Sequence, residues 1–354
     1  MRRSKKTYPL LLALIILASC SREDKPDVTE NIYYMEEIPV IRSGRASQDE
    51  FSIPLDGIAE VERSGVYYPG LGFTESGLRE KAGDYAGAVF AAYRELSYSY
   101  GYGEAAKKEV ESALNQTLSL FENSGPPEKI DQKAALAAIS GVKAFHAESW
   151  DEAACFLHEL KDEDEAPDSF LSWMLLVCSL ENDEIPASSL KAARSAYGAI
   201  RARYNSFPEY WYRGARAYTK ANSENSSVLA GVPAGQNIAG IYAEQCINLS
   251  SAGPFSSECR NIIAEGLGIA GAGYAIKSKT EIDDTIRRSV SAENPALLES
   301  LLPLITLPDN SYTAYTVEIF KNLVSFPSFR SYFEKEAAGA QGRLAERLRY
   351  ISRG

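Results

Sequence analysis

The hydrophobic pattern of the chain is helical from about Leu78 to Ser352. Apolar residues recur at intervals of three and four, alanine is abundant, and runs of β-branched residues are rare, which is the pattern of helices that bury one face. Several prolines fall where they would occupy the first turn of a new helix, a position at which the missing N–H costs nothing. The breaks are at Pro126, Pro127, Pro167, Pro186, Pro208, Pro254, Pro295, Pro308 and Pro327. Because the connections are short, we expect successive helices to pair antiparallel.

Residues 49–77 show a different pattern. Phe51, Ile53 and Leu55 alternate with other residue types, and glycine and proline interrupt the stretch that follows. Alternation with a period of two, together with frequent turn residues, predicts an extended segment or one or two short strands. We therefore predict an all-α body of antiparallel helical hairpins, preceded by a short extended or β segment.

The N-terminus carries the three zones of a secretory signal. Four basic residues are followed by a short apolar run from Leu10 to Leu17, and then by small residues and a cysteine. The apolar run has about half of the ~20 residues that a membrane span needs. The stretch Leu17-Ala18-Ser19-Cys20 resembles the lipobox of bacterial lipoproteins.

The lipoprotein resemblance implies both processing and location. Residues 1–19 would be removed as a signal peptide, and Cys20 would be acylated and become the first residue of the mature protein. Residues 20–48 are polar and charged, so we expect them to form a lipidated tether. The protein is then expected in the bacterial cell envelope, on the outer side of the inner membrane or on the outer membrane.

Parts of the helical region resemble tetratricopeptide repeats. Residues 83–88 and 148–153 are similar to the turn and second helix of such a repeat, and Gly141, Val177 and Gly214 take equivalent positions in three first helices. Val177 departs from the family pattern, which has a small residue there. The resemblance covers roughly residues 78–250 and implies hairpins stacked as a TPR-like solenoid. Residues 251–354 form a C-terminal helical region without the repeat signature.

Composition and charge limit the partners of this protein. The chain has 48 acidic residues against 37 lysines and arginines, a formal net charge of −11, and cleavage of the signal would make it more acidic. An acidic chain lacks the positive surface that nucleic-acid binding requires, so no nucleic-acid partner is expected. Acyl chains, rather than a basic patch, would hold such a protein to the membrane.

Two kinds of short motif suggest chemistry but lack their context. Residues 266–271 match the Gly-x-Gly-x-x-Gly dinucleotide fingerprint, which needs a preceding strand and a later acidic residue. Ser140-x-x-Lys143 and Ser188-x-x-Lys191 match the nucleophile motif of penicillin-interacting enzymes, which also need a Lys-Thr-Gly strand. Neither context is found, so we expect no cofactor and no enzymatic activity. Acid–base pairs formed between helices stay open at this stage.

The cysteines suggest disulfide bonds rather than a metal site. Lipidation of Cys20 would leave Cys155, Cys178, Cys246 and Cys259, and an oxidising compartment would allow two bridges. Each of the pairs 155–178 and 246–259 is centred on a predicted turn, so its members would lie at the same height on facing helices. Four buried, reduced cysteines are the alternative. The cysteine spacings do not fit zinc, and the two histidines of the chain lack ligand partners at helical spacing, so no metal is expected.

The repeat resemblance also points to a partner-binding groove. First helices line the concave face of tetratricopeptide solenoids, and alignment on Gly214 puts Trp211 and Tyr218 on that face. Aromatic residues and arginine dominate interface energetics, although such side chains also commonly fill the core between repeats, and both interpretations stay open. The candidate groove residues are Tyr210, Trp211, Arg213, Arg216, Tyr218, Phe145, His146 and Met174.

Three functions are compatible with these patterns. The first is a lipid-anchored scaffold or adaptor that binds a protein or peptide partner in an envelope complex, as the resemblance implies. The second is an accessory ligand-binding or transporter-associated lipoprotein, and the third is a cell-wall enzyme. An open, polar-rimmed groove would favour the first function, and a closed apolar channel the second. Clustered carboxylates in a cleft would favour the third.

Overall fold

In the computed structural model of the protein, the regular elements are α-helices and short 3₁₀ segments. The residues described are 48–63, 68–101, 104–124, 131–162, 166, 169–182, 186–224 and 238–353, and no strand occurs among them. This confirms the predicted all-α class. The chain divides into two compact units, one ending at Ser206 and the other beginning at Phe207. Residues 1–47, which include the signal, Cys20 and nearly all of the tether, lie outside the described residues.

Helices of the first unit follow one another in short, successive segments. Helix α2 packs on α3, α3 on α4 and α5, α5 on α6, α6 on α7 and α7 on α8. Neighbours in sequence are thus neighbours in space, as expected for helices joined by short connections. The helices are α1 (Gln48–Arg63), α2 (Leu71–Ala82), α3 (Tyr85–Ser99), α4 (Glu104–Ser124), α5 (Gln132–His146), α6 (Trp150–His158), α7 (Phe170–Glu181) and α8 (Ala187–Ala199).

The prediction of an extended or β segment over residues 49–77 is wrong for the part of that range described. Helix α1 covers its first part and α2 begins within it. The short alternation ending at Leu55 is compatible with either period, and the buried Ile58 lies three residues further on, which is helical spacing. Gly57 and Gly72 lie inside these helices, and glycines in the left-handed conformation mark the two ends of α2. Gly70, with φ 84°, precedes α2, and Gly83, with φ 85°, follows it.

The α2–α3 turn is a Schellman motif, which satisfies the last carbonyls of α2. The N–H of Asp84 donates to the carbonyl of Arg79 at 2.8 Å, and the N–H of Gly83 donates to that of Glu80 at 3.1 Å. Glycine takes the left-handed conformation there at little cost. The Asp84 carboxylate then accepts the N–H of Gly87 at 2.9 Å and caps α3.

The α5–α6 turn repeats this geometry without a glycine. The N–H of Ser149 donates to the carbonyl of Ala144 at 2.9 Å, and the N–H of Glu148 to that of Phe145 at 3.0 Å. Glu148 itself has a positive φ of 58°, a conformation that costs a residue with a Cβ. The two turns that the sequence matched to one repeat position therefore share one backbone conformation.

Close packing of α5 on α6 depends on Gly141. A Cβ at this position would lie 2.7 Å from Cδ2 of Leu157 and 3.4 Å from Cβ of Phe156. Leu157 and Ala153 on α6 are fully buried, so the Leu157 side chain has little room to move. Gly141, which the sequence matched to a small residue of the repeat pattern, thus lies where two helices approach closely.

Aromatic side chains fill the centre of the first unit. The rings of Phe145 and Trp173 lie 5.6 Å apart between centroids, and those of Phe170 and Trp173 stack at 5.1 Å. The indole N–H of Trp173 donates to the hydroxyl of Tyr197 at 3.3 Å, which joins α7 to α8. Rings with these separations add packing energy beyond their buried area.

A buried carboxylate caps the N-terminus of α2. Glu95 on α3 is 2% exposed, and its two carboxylate oxygens accept the N–H groups of Gly70 and Gly72 at 2.7 and 2.9 Å. Burial raises the pKa of Glu95 to about 7, against the opposing effect of these two hydrogen bonds. Gly72 allows the approach, because a Cβ there would lie 2.5 Å from the carbonyl oxygen of Ala91.

The second unit is likewise helical and includes both sides of residue 250, where the sequence suggested that the repeats end. Helix α9 packs on α10, α10 on α11, and α14 on α15. The helices are α9 (Pro208–Glu224), α10 (Ile238–Leu249), α11 (Ser256–Gly266), α12 (Lys279–Ser291), α13 (Ser311–Leu323), α14 (Pro327–Gly339) and α15 (Gly342–Ser352), with 3₁₀ segments at Gly273–Ala275 and Pro295–Thr306.

An arginine joins α11 to a capping box at the start of α12. Ser278 accepts the N–H of Glu281, and the Glu281 carboxylate accepts the N–H of Ser278. Arg260 on α11 then donates to both oxygens of the same carboxylate, at 2.7 and 2.9 Å. Paired hydrogen bonds of this kind hold two charged side chains in one orientation.

Among the helices of the described residues, none is both long enough and apolar enough to cross a membrane.

Candidate partner-binding site

The aromatic pair at the start of α9 lies in the core of the second unit. Tyr210 is fully buried and Trp211 is 7% exposed. The Trp211 ring packs edge-on against Tyr242 of α10 with centroids 4.9 Å apart, and the Tyr210 and Trp211 rings meet at 5.3 Å. These two side chains hold α9 to α10 and offer almost no surface to a partner.

Arg213 is also buried, and its charge is paired within its own helix. Its Nη2 lies 3.3 Å from Oε1 of Glu209, and both side chains are almost completely enclosed. The guanidinium lies over the rings of Tyr212 and Phe255, at 5.0 and 5.8 Å from their centroids. These two rings stack at 4.3 Å. Arg213 thus supports the α9–α11 contact.

A hydrogen-bonded polar edge lies above this buried layer. The Tyr212 hydroxyl donates to Oε2 of Glu258 at 2.5 Å, and Nη1 of Arg216 donates to the Tyr212 oxygen at 3.1 Å. Arg216 Nε lies 3.9 Å from Oε1 of Glu258, and the two side chains are 26% and 50% exposed. We call Tyr212, Arg216 and Glu258 the α9 polar edge.

The hydroxyl of the polar edge is a donor rather than a base. Burial, followed by the hydrogen bond to Glu258, raises the pKa of Tyr212 well above its ordinary value, although Arg216 opposes the shift. The phenol therefore keeps its proton near neutral pH and continues to donate to Glu258.

The predicted groove residues are divided between core and surface, and between the two units. Phe145 and Met174 are buried in the first unit, and His146 is exposed there, with its Nε2 3.5 Å from Glu111 Oε1. In the second unit Tyr218 is half-buried, with its ring 5.3 Å from that of Tyr242.

The proposal of an accessible groove is therefore wrong for the buried members of the set. The packing interpretation, which the sequence left open, applies to Tyr210, Trp211, Arg213, Phe145 and Met174. Helical period identifies a face, but whether that face meets solvent depends on the neighbouring helices. Arg216, Tyr218 and His146 retain exposed surface.

The two predicted cysteine pairs have different environments. Cys246 and Cys259 are both fully buried, and the Cys259 side chain is near enough to raise the pKa of the Cys246 thiol. Cys155 is exposed whereas Cys178 is buried. Cys246 and Cys259 thus lie buried on two helices that pack together, while the members of the other pair differ in exposure.

The motifs that the sequence set aside lie in structural roles. Residues 266–271 run from the last residue of α11 into the turn after it instead of opening an α-helix, and Gly268 and Gly271 have positive φ values of 72° and 83°. Lys143 on α5 pairs with Glu122 at 2.5 Å. Across the described ranges, no group of three or more histidine, cysteine or acidic residues is placed to hold a metal ion.

A surface groove of about 480 Å³ lies in the C-terminal part of the second unit, where sequence patterns did not indicate a site. Its polar and apolar side chains come from α12 and the Pro295–Thr306 segment. The lining residues are Thr285, Arg288, Ala296, Leu297, Glu299 and Ser300.

The sequence also missed Glu258 and the stacking of Phe255 on Tyr212. Both residues follow the predicted break at Pro254 and are far from α9 along the chain. A carboxylate at the start of a helix is explained by the helix dipole alone. No local signal therefore distinguished Glu258 from an ordinary first-turn acid.

No protein-family model matches this chain, and neither curated proteins nor solved structures gave a match.

Proposed function

We propose that this protein is a lipid-anchored helical scaffold of the bacterial cell envelope that binds a protein or peptide partner. The observation that carries the proposal is the combination of a lipobox-like stretch ending at Cys20 with a body of successive helical hairpins. An acyl anchor keeps such a body at a membrane surface. Stacked hairpins supply extended surfaces that suit protein binding.

We also propose that residues 78–250 contain TPR-like hairpins. Support comes from two features of the repeat pattern, which are the small Gly141 against Leu157 and the matched turns before Tyr85 and Trp150. The successive packing of α5 to α8 is compatible with a stack of helix pairs.

The α9 polar edge is the part of the candidate site that we propose for partner contact. Arg216 and Glu258 are held in place by Tyr212 on one side and remain partly exposed on the other. Side chains that are already oriented lose less conformational entropy on binding. Arginine next to aromatic rings is also a frequent centre of binding energy.

The test is a pull-down from detergent-solubilised envelope followed by affinity measurement on the captured protein. Arg216→Ala is expected to weaken that affinity by roughly tenfold or more. The matched control is Arg287→Ala, because Arg287 is an exposed arginine of the same unit and is 74% accessible. Equal affinities for wild type, Arg216→Ala and Arg287→Ala would contradict the proposed site.

Trp211→Ala separates binding from folding in the same assay. Since Trp211 packs between α9 and α10, its removal should lower the free energy of unfolding by ~3–5 kcal/mol. Arg216→Ala should leave the melting temperature nearly unchanged, because a partly exposed ion pair contributes little to stability. A loss of affinity in Arg216→Ala without loss of stability is the result that supports the proposal.

The volume of the surface groove supports a second candidate, an accessory ligand-binding or transporter-associated lipoprotein, whereas its open and partly polar lining is not the closed apolar channel expected for that function. Its volume of about 480 Å³ lies within the range of small-molecule sites, and Arg288 provides a positive charge beside polar Thr285 and Ser300. Small anionic metabolites should then raise the melting temperature of wild type, and Arg288→Ala should abolish the increase. A set of such ligands without any effect on wild type would count against this candidate.

A further inference from the structure

Two cysteine thiols meet in the interior of the second unit. Cys246 belongs to α10 and Cys259 to α11, and both side chains are fully buried. The Cys259 side chain is near enough to raise the pKa of the Cys246 thiol. The two helices pack against each other and are joined by the short turn over residues 250–255.

We infer that Cys246 and Cys259 are joined by a disulfide bond in the exported protein. The inference rests on the export that the proposed function includes, because disulfides persist in oxidising compartments. Facing positions on two packed helices already bring the sulfur atoms together. The bond therefore closes a contact that the fold itself makes.

Oxidation proceeds by exchange with a disulfide of a thiol–disulfide oxidoreductase or of a small disulfide such as oxidised glutathione. One thiol loses its proton and attacks the donor disulfide, which gives a mixed disulfide and releases one donor thiol. The second thiol loses its proton, attacks the mixed disulfide and releases the other donor thiol. The two cysteines lose two electrons and two protons, and the donor gains them.

Burial decides when this exchange occurs. Contact with Cys259, burial, and the nearby negative charge of Glu209 raise the pKa of the Cys246 thiol well above its ordinary value. The thiolate is the attacking form, so exchange is slow once the helices have closed over the pair. The bond consequently forms while α10 and α11 are still assembling, and reductants reach it poorly afterwards.

The position of the pair links this bond to the α9 polar edge. Glu258 immediately precedes Cys259 on α11, and Glu209, which pairs with Arg213, acts on Cys246 from α9. A covalent link between α10 and α11 fixes the start of α11, and with it Glu258, in position relative to α10. The disulfide is thus a structural support of the candidate site.

The first experiment maps the thiols of the full chain extracted from membranes without reductant. Thiols are alkylated after denaturation, and peptides are analysed by mass spectrometry. The expected result is a linked pair of peptides containing Cys246 and Cys259, with alkylated Cys155 and Cys178. Cys155, which is exposed, should also react in the folded protein and serves as the internal control.

A second experiment separates the pairing from the compartment. The reduced full chain is refolded in detergent with a glutathione redox buffer and mapped in the same way. Alkylated Cys246 and Cys259 in both preparations would overturn the pairing. A 246–259 bond in the refolded chain alone would overturn its formation in the cell and would contradict export, leaving the geometric argument intact.

A stability measurement tests the structural role of the bond. Reductant present during unfolding should lower the melting temperature of wild type by roughly 5–10 °C. Reductant should cause no such shift in the double variant Cys246→Ala/Cys259→Ala, and Cys155→Ser should behave as wild type. An equal shift in the double variant would overturn the assignment of the effect to this bond.

Discussion

Single residues decide where the helices of this protein turn back. Gly83 and Gly268 take the left-handed conformation at helix ends, with φ values of 85° and 72°. Glu148 and Glu293 take the same conformation, with φ values of 58° and 48°. A side chain pays for this conformation in steric strain, while glycine does not. At these two glutamates the backbone therefore has a conformation that their residue type does not favour.

Replacing Glu293 with glycine should stabilise the second unit. The N–H of Glu293 and that of Asn294 would keep their bonds to the carbonyls of Val290 and Ser289, at 3.1 and 2.9 Å. Relief of the strained φ should raise the free energy of unfolding by ~1 kcal/mol. Urea unfolding of the purified protein measures the change. Glu293→Ala is the control and should give no increase, so an equal gain from alanine would refute the explanation.

The buried Glu95 gives the first unit a particular dependence on pH. Because burial raises the pKa of Glu95 from 4.5 to about 7, the folded state binds this proton more tightly than the unfolded state. Its contribution to stability is fully present below about pH 4.5 and is lost as the pH rises towards 7. Glu95→Gln resembles the protonated form at every pH. Relative to wild type, the variant should gain about 2.5 kcal/mol between pH 5 and pH 8.

Glu75→Gln is the matched control for this pH profile. Burial alone would raise the pKa of Glu75, but Arg94 and Arg79 outweigh it and hold the pKa below its usual value. Its contribution is therefore present above about pH 4.5 and is lost in acid. The variant should be less stable than wild type at pH 7, with the difference shrinking as the pH falls. Parallel profiles for the two variants would contradict these assignments.

Within a pair of helices, small side chains set the distance between the two helix axes. On α5, Gly141 lies against Leu157 of α6, and the Leu157 side chain cannot easily move because it is fully buried. On α2, by contrast, the position where a Cβ of Gly77 would stand has no atom within 4 Å apart from its chain neighbours and the backbone of its own helix. Both glycines are inside helices, where alanine is intrinsically preferred.

Alanine substitutions at these two glycines should have opposite effects. Gly77→Ala should raise the free energy of unfolding by ~0.5–1 kcal/mol, through helix propensity alone. Gly141→Ala should lower it by ~1–2 kcal/mol, since overpacking exceeds the same gain. In a Leu157→Ala background the added methyl should become stabilising, because it fills part of the cavity. Thermal unfolding of the four variants decides this, and additive effects would count against the close contact.

At the scale of the whole molecule, we propose that the protein is attached to a membrane through its N-terminus. Acyl chains on Cys20 would hold an acidic protein at a surface that repels it electrostatically. The tether between Cys20 and α1 would let the helical body lie away from the lipid. Both statements depend on the lipobox resemblance of residues 17–20.

Cys20→Ala should release the protein from membranes. The wild type is expected to sediment with membranes and to incorporate labelled fatty acid, because two or more acyl chains anchor a protein stably. The alanine variant should incorporate no label and should lose its membrane retention. Cys155→Ala, which removes an exposed cysteine of the helical body, is the control and should behave as wild type. Sedimentation of all three without label would refute lipidation.

The sequence alone determined the helical class and several of its turns, because both depend on residues close together in the chain. The three-to-four spacing after Leu78 predicted the helices, and Gly83 and Gly141 marked a turn and a close contact that the structure has. Local pattern failed for residues 49–77, where a short alternation fits either a strand or a helix. The helices found there are stabilised in part by distant groups such as Glu95, which accepts the N–H groups of Gly70 and Gly72.

Only the tertiary structure decided which faces of these helices meet solvent. Trp211 and Arg216 lie on one helix, yet Tyr242 covers the first, while the second remains partly exposed beside Glu258. Whether Cys246 and Cys259 face each other likewise depends on how α10 and α11 are oriented about their own axes. The equal distance of the two residues from the turn does not determine that orientation. Burial depends on side chains that are distant in sequence, so the period of one helix can identify a face but not its partner.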